Sequence, residues 1–164
     1  MCSFDVTSLF TNVPLEETVD IIEFLISKLN INIPIPSDYF TSLLRLCTKN
    51  VQFSFDHKYF TQIDDVAMGS PLGPVLANIF LGYLEKYVLN RTSSEPFEKP
   101  VLFLRYVDDT FAVFSSPTAA SRFLHVLNLL HPQIMFTQES QSPCDGSLSL
   151  SLMSKCVEVK MALR

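Results

Sequence analysis

A chain of 164 residues has room for one domain with a packed core, or a piece of one, and no obvious room for two. Hydrophobic residues make up 48%, aromatics 12% including 14 Phe, and charged residues 18%, a composition that excludes a disordered tail. The net charge of -5 weighs against unaided nucleic-acid binding, because Lys and Arg usually supply most of that affinity by neutralising phosphates.

The apolar run from Val75 to Leu84 is interrupted by Asn78 and is about half the roughly 20 residues that a membrane span needs, so no membrane association is expected. Met1-Cys2-Ser3-Phe4-Asp5 lacks the positive head and apolar core of a secretory signal. Cys2, Cys47, Cys144 and Cys156 show no CxxC spacing. An intracellular setting, nuclear or cytoplasmic, without structural zinc is the expectation.

In chain order, Phe4 to Val6 reads as a short strand. Pro14 with Glu16 and Glu17 opens a helix from Leu15 to Leu29, with Val19, Ile22, Ile26 and Leu29 as its apolar stripe. Ser37 is placed to cap a second helix carrying Phe40, Leu43, Leu44 and Cys47 and ending near Asn50. Val51, Phe53 and Phe55, then Tyr59, Thr61 and Ile63, alternate with polar residues around Asp56-His57 and predict a hairpin. Ser70-Pro71 starts a longer helix with Val75, Ile79, Tyr83 and Tyr87 on one side. Val101 to Tyr106 and Thr110 to Phe114 predict a second hairpin, Ser116-Pro117 a helix through Phe123, Leu127 and Leu130, and Gln133 to Thr137 a final strand. Strands and helices mixed in this way predict an α+β or α/β fold.

Two adjacent carboxylates, Asp108-Asp109, interrupt the apolar run Phe103 to Phe114. One reading is a solvated hairpin turn, for which Asp is a common residue. The other is a metal site: carboxylates at a tight hairpin, joined by a third, could hold divalent ions roughly 3.5 to 4 Å apart, and hard oxygen ligands suit magnesium. Asp5, in a strand-like segment just before a helix, is the candidate third carboxylate, and it also reads as an ordinary polar strand end. A second pair, Asp64-Asp65, shows that adjacency alone says little. Gly69-Ser70-Pro71 reads as a helix entry, with Ser70 as cap and Pro71 in the first turn. No GxxxxGK[ST] sequence is present, which argues against a P-loop ATPase. His125 and His131 read as surface or cap residues.

The segments Asp5 to Pro14 (DVTSLFTNVP), Ala67 to Asn78 (AMGSPLGPVLAN) and Arg105 to Thr110 (RYVDDT) resemble palm motifs A, B and C of reverse transcriptases, most of all those of Penelope-like retroelements. The motifs stand in the family's order, and the similarity runs from Ser3 to Glu139. It implies an incomplete polymerase palm over residues 1–146, with a ferredoxin-like antiparallel sheet packed by helices and basic fingers and thumb elsewhere. The implied activity is RNA-directed DNA polymerisation on an RNA template and a DNA primer, with deoxynucleoside triphosphates and two Mg2+ ions, or Mn2+. By the same resemblance Asp5 and Asp108 bridge the metals and Asp109 supports them. Phe10 is the steric gate against the ribose 2′ hydroxyl, Met68, Gly69, Ser70 and Pro71 lie at the templating base, and Tyr106 lies beneath the primer end.

Three positions depart from the family pattern: Asp65 where relatives often have Gly, His57 in what is commonly an Asp-Gly turn, and Met135 where Lys is frequent. After Gly146 relatives commonly continue Leu-Pro-Phe-Leu-Asp-Val, whereas this chain has Ser147-Leu148-Ser149-Leu150-Ser151-Leu152-Met153-Ser154. A shifted frame of DNA encoding Ser149 to Ser154 can spell Pro-Phe-Leu-Asp-Val, so residues 147–164 are expected to be a divergent tail produced by a frameshift, the alternative being a tail that diverged in frame. The alternative to a polymerase is a catalytically inert, truncated retroelement remnant with at most a binding role. A palm-fold nucleotide cyclase fits the second and third motifs less well.

Overall fold

A computed structural model describes residues 1–49, 51–61, 70–90 and 98–140. The tail 147–164, Asp64-Asp65, Met68 and Gly69 lie outside the described residues. The chain divides into two compact units, Met1–Thr7 with the chain from Lys86 onward, and Ser8–Glu85. No helix among the described residues is long and apolar enough to cross a membrane.

The first unit is built on strands β1 (Cys2–Val6), β4 (Leu102–Tyr106), β5 (Asp109–Val113) and β6 (Phe136–Ser140), in the spatial order β4-β5-β1-β6 with every neighbour antiparallel. The first three strand candidates of this unit are borne out, with β1 extended back to Cys2, and the last is shifted along the chain. Period-two alternation sorts their side chains. Cys2, Phe4 and Val6 are buried, while Ser3 and Asp5 between them are half-buried. Phe4 stands across from Thr110, and Phe103 across from Ala112, so these four share one face of the sheet.

Helix α5 (Pro117–Asn128) supplies the aromatic core of this unit. The Phe123 ring lies 6.1 Å from Phe4, 5.9 Å from Phe103 and 5.3 Å from Phe114 between centroids. Burying a ring fully, as Phe4 and Phe123 are, contributes roughly 1.5 to 3 kcal/mol, and the half-buried Phe103 and Phe114 contribute less. The helix opens at Ser116-Pro117 as predicted, and Ser116 caps it, its hydroxyl accepting from the Ala119 N–H at 3.2 Å. The last strand begins three residues later than Gln133, because Ile134 N–H bonds back to the His131 carbonyl in a turn. The Asn128 side chain then takes both backbone groups of Phe136, donating to its carbonyl at 3.1 Å and accepting from its N–H at 2.7 Å. Burial pushes the Cys2 thiol above its ordinary pKa, and its Sγ faces the Ala112 carbonyl at 3.7 Å.

The second unit opens with a single turn, α1 (Leu9–Asn12), which was not expected; four residues are too few to show a helical period. Helix α2 (Leu15–Leu29) has its predicted bounds, with Glu16 and Glu17 in the first turn and Lys28 in the last. Its buried residues are Leu15, Thr18, Val19 and Ile21, and Leu29 is exposed, so the expected stripe is rotated towards the start of the helix. Helix α3 (Ser37–Thr48) includes Ser37 as its first residue, with Pro36 in the cap position. Its buried positions are Thr41 and Thr48, whose hydroxyls donate to Ser37 and Leu44 carbonyls at 2.7 and 2.8 Å, whereas Leu43 and Cys47 are exposed. Arg45 joins α3 to Glu16 and Asp20 of α2 at 3.0 and 3.4 Å, and Lys49 also pairs with Glu16.

Strands β2 (Gln52–Phe55) and β3 (Lys58–Thr61) form the predicted hairpin, with Phe53 stacked on Phe60 at 5.7 Å. Its two turn residues, Asp56 and His57, both have positive φ, 49° and 58°. The type I′ twist is kept although His57 occupies the place that glycine favours.

Helix α4 (Gly73–Asn90) starts later than the Ser70-Pro71 pair suggested. Ser70 makes a turn ahead of it: its hydroxyl accepts from Leu72 N–H at 3.3 Å, and its carbonyl from Gly73 N–H at 3.0 Å. The buried face is Leu76, Ala77, Phe80, Leu81, Leu84 and Val88, while Val75 and Tyr87 are 52% and 55% exposed. The expected stripe is thus the outer face. Both sets obey helical spacing, but Asn78, Lys86 and Asn90 are exposed on the same side as Val75 and Tyr87, so the polar residues of the helix mark that side as the outward one.

Candidate metal centre

Two adjacent strands and one turn assemble the carboxylates. With Phe4 across from Thr110, the next residue of β1 and the preceding residue of β5 are neighbours, so Asp5 and Asp109 project from the same face. Asp108 belongs to the two-residue turn between Tyr106 and Asp109, which pair as the last rung of the β4-β5 ladder. One oxygen from each of Asp5, Asp108 and Asp109 lies within 4.8 Å of the others, and all three residues are half-buried. The first strand is held from its other side, where Thr137 pairs with Asp5 and its hydroxyl donates to the Asp5 carbonyl at 3.4 Å.

Three carboxylates this close repel one another, and a divalent cation offsets that repulsion while using their lone pairs. The donor set is all hard oxygen, with neither imidazole nor thiolate, so it fits magnesium or manganese better than zinc or copper. All three carboxylates remain partly accessible to solvent.

Of the other residues singled out in the sequence, Tyr106 shares the carboxylate face by its register with Asp109 and is 39% exposed. Phe10 is half-buried in α1 and belongs to the second unit, as do Ser70 and Pro71 in the turn before α4. Met68 and Gly69 lie outside the described residues. His131 Nδ1 accepts from the Gln133 N–H at 3.3 Å, in keeping with a loop-stabilising role. Met135 is exposed. A residue that the sequence reading passed over is Arg105, whose guanidinium reaches the turn that carries Asp108. Its one visible signal was a charge inside an otherwise apolar strand.

No curated protein matches the chain by sequence. Residues 1–132 match the family model described as reverse transcriptase (RNA-dependent DNA polymerase), a stretch that contains all three carboxylates and the whole β4-β5 hairpin. With most of its length matched, in a mixed helical and antiparallel-sheet fold whose acidic cluster suits divalent metal, the chain belongs to the reverse transcriptase family.

Proposed function

We propose that the chain is the palm part of an RNA-directed DNA polymerase of the Penelope-like retroelement type. The convergence of Asp5, Asp108 and Asp109 from β1 and the β4-β5 hairpin carries this reading. The reaction is the in-line attack of a primer 3′ hydroxyl on the α-phosphate of a deoxynucleoside triphosphate, with pyrophosphate leaving. A pair of Mg2+ ions, or Mn2+, supplies charge that stabilises the attacking and leaving oxygens when bound.

The residues divide the remaining work. Asp5 and Asp108 would hold the ions and Asp109 would support them, a reading that the placement of the three carboxylates around one point favours. Tyr106, on the same face as Asp109, supports the primer end. Phe10 acts as the gate that disfavours a 2′ hydroxyl, and Met68, Gly69, Ser70 and Pro71 contact the templating base. RNA template and DNA primer are the partners, and because this chain carries a net charge of -5, most of their phosphates are neutralised by basic surfaces that act alongside it.

Primer extension tests the proposal, using the full chain alone and joined to a fingers and thumb pair, with an RNA template, a DNA primer and Mg2+. Template-directed deoxynucleotide addition that disappears in Asp5→Asn and Asp108→Asn is the expected result. A folded fusion that extends no primer in either metal would overturn it and favour an inert remnant.

A further inference from the structure

The turn that presents Asp108 is strained. Val107 has φ 57°, and a β-branched residue keeps that left-handed conformation only where its surroundings impose it. Arg105, two residues earlier on β4, pairs with Thr110 across the hairpin, so its side chain leaves the sheet on the face opposite Asp5 and Asp109. Its Nη1 donates to the Val107 carbonyl at 2.9 Å, a charge-assisted bond to the peptide that joins Val107 to Asp108. Rotation of that peptide towards an unstrained turn would break this bond and carry the Asp108 carboxylate away from its neighbours.

We propose that Arg105 is a positioning residue for the carboxylate centre: by holding the Val107 carbonyl it imposes the left-handed turn that keeps Asp108 beside Asp5 and Asp109. The role in metal binding rests on the metal-site reading above. Two effects of removing Arg105 have opposite signs. Loss of a nearby positive charge strengthens cation binding, whereas loss of a turn clamp weakens it.

Mn2+ titration of the full chain, followed by electron paramagnetic resonance, reads which effect wins. Arg105→Met is expected to weaken Mn2+ binding about tenfold, the usual scale for a residue that orients a metal ligand. Glycine pays little at positive φ, so in a Val107→Gly background the same substitution should change affinity by less than about twofold. Parent-like or tighter binding by folded Arg105→Met would overturn the proposal, as would an equal loss in both backgrounds. Should Arg105→Met fail to fold, the double variant with Val107→Gly should fold, and its failure to do so counts against the clamp. A parent chain that binds no Mn2+ defeats the metal reading instead. Amide exchange at Asp108 and Asp109 in the metal-free chain then decides the clamp by itself: about tenfold faster exchange in Arg105→Met supports it, and unchanged rates reject it.

Discussion

Phe4 stands directly across from Thr110 on the neighbouring antiparallel strand, and this one register places Asp5 on the sheet face that carries Asp109. A slip of a single residue would send Asp5 into the aromatic core and Phe4 to the solvent side, so burial of Phe4 under α5 also positions the acid.

Clustered carboxylates cost stability when no cation is bound, so Asp5→Asn should raise the metal-free melting temperature, by about 2 to 4 °C for each kcal/mol of repulsion removed. Adding Mg2+ should stabilise the parent and leave the variant unmoved, because a ligand stabilises only the state that binds it. Differential scanning calorimetry with and without Mg2+ checks both signs, and equal Mg2+ stabilisation of the two proteins contradicts the assignment.

Phe10→Ala, in the chain joined to fingers and thumb, should raise ribonucleotide incorporation relative to deoxynucleotide while retaining polymerisation. Competing single-nucleotide extension with matched triphosphates measures it. An unchanged sugar preference makes the ring a packing residue of α1 only.

Asn128→Ala removes two hydrogen bonds from the backbone of Phe136 and leaves a part-buried N–H and carbonyl to find other partners. A loss of about 1 to 3 kcal/mol is expected in urea unfolding, with faster amide exchange at the start of β6 before the rest of the sheet. Exchange that stays uniform across the sheet would show that β6 is held by its pairing with β1 alone.

His57→Gly should stabilise the β2-β3 hairpin by about 1 kcal/mol, since glycine removes the Cβ penalty at φ 58° and returns part of it as unfolded-chain entropy. The urea midpoint should rise at constant slope. His57→Ala, which keeps a Cβ, should not reproduce the gain.

Hydrogen bonds from Lys49 and then Arg45 hold the Glu16 carboxyl below its ordinary pKa. A depressed folded-state pKa contributes stability that is present above the unfolded value and lost as pH falls through the folded one. Exposure limits this to under about 1 kcal/mol. The stability gap between parent and Glu16→Gln should therefore be open at neutral pH, close in acid, and shrink in high salt.

Local chemistry in the sequence determined a good part of this molecule. Proline and two acids set where α2 begins, Ser116 set the start of α5, and alternating residues around Asp56-His57 and Val107-Asp108 set both hairpins, because caps, turns and period-two alternation act over a few neighbouring residues. The three carboxylates were legible too, through their motifs. Tertiary packing decided the rest. Which of the two apolar stripes of α4 is buried is realised by what covers it, although Asn78, Lys86 and Asn90 already mark the outward side. The start of β6 depends on the Asn128 amide, eight residues away, and α1 on hydrogen bonds to the Ser8 carbonyl, neither of which has a periodic signal. The reach of Arg105 to the Val107 carbonyl, and the meeting of Asp5 with a hairpin some hundred residues later, exist only once the β1-β5 register is formed, because they are set by pairing between distant segments and not by the preferences of either.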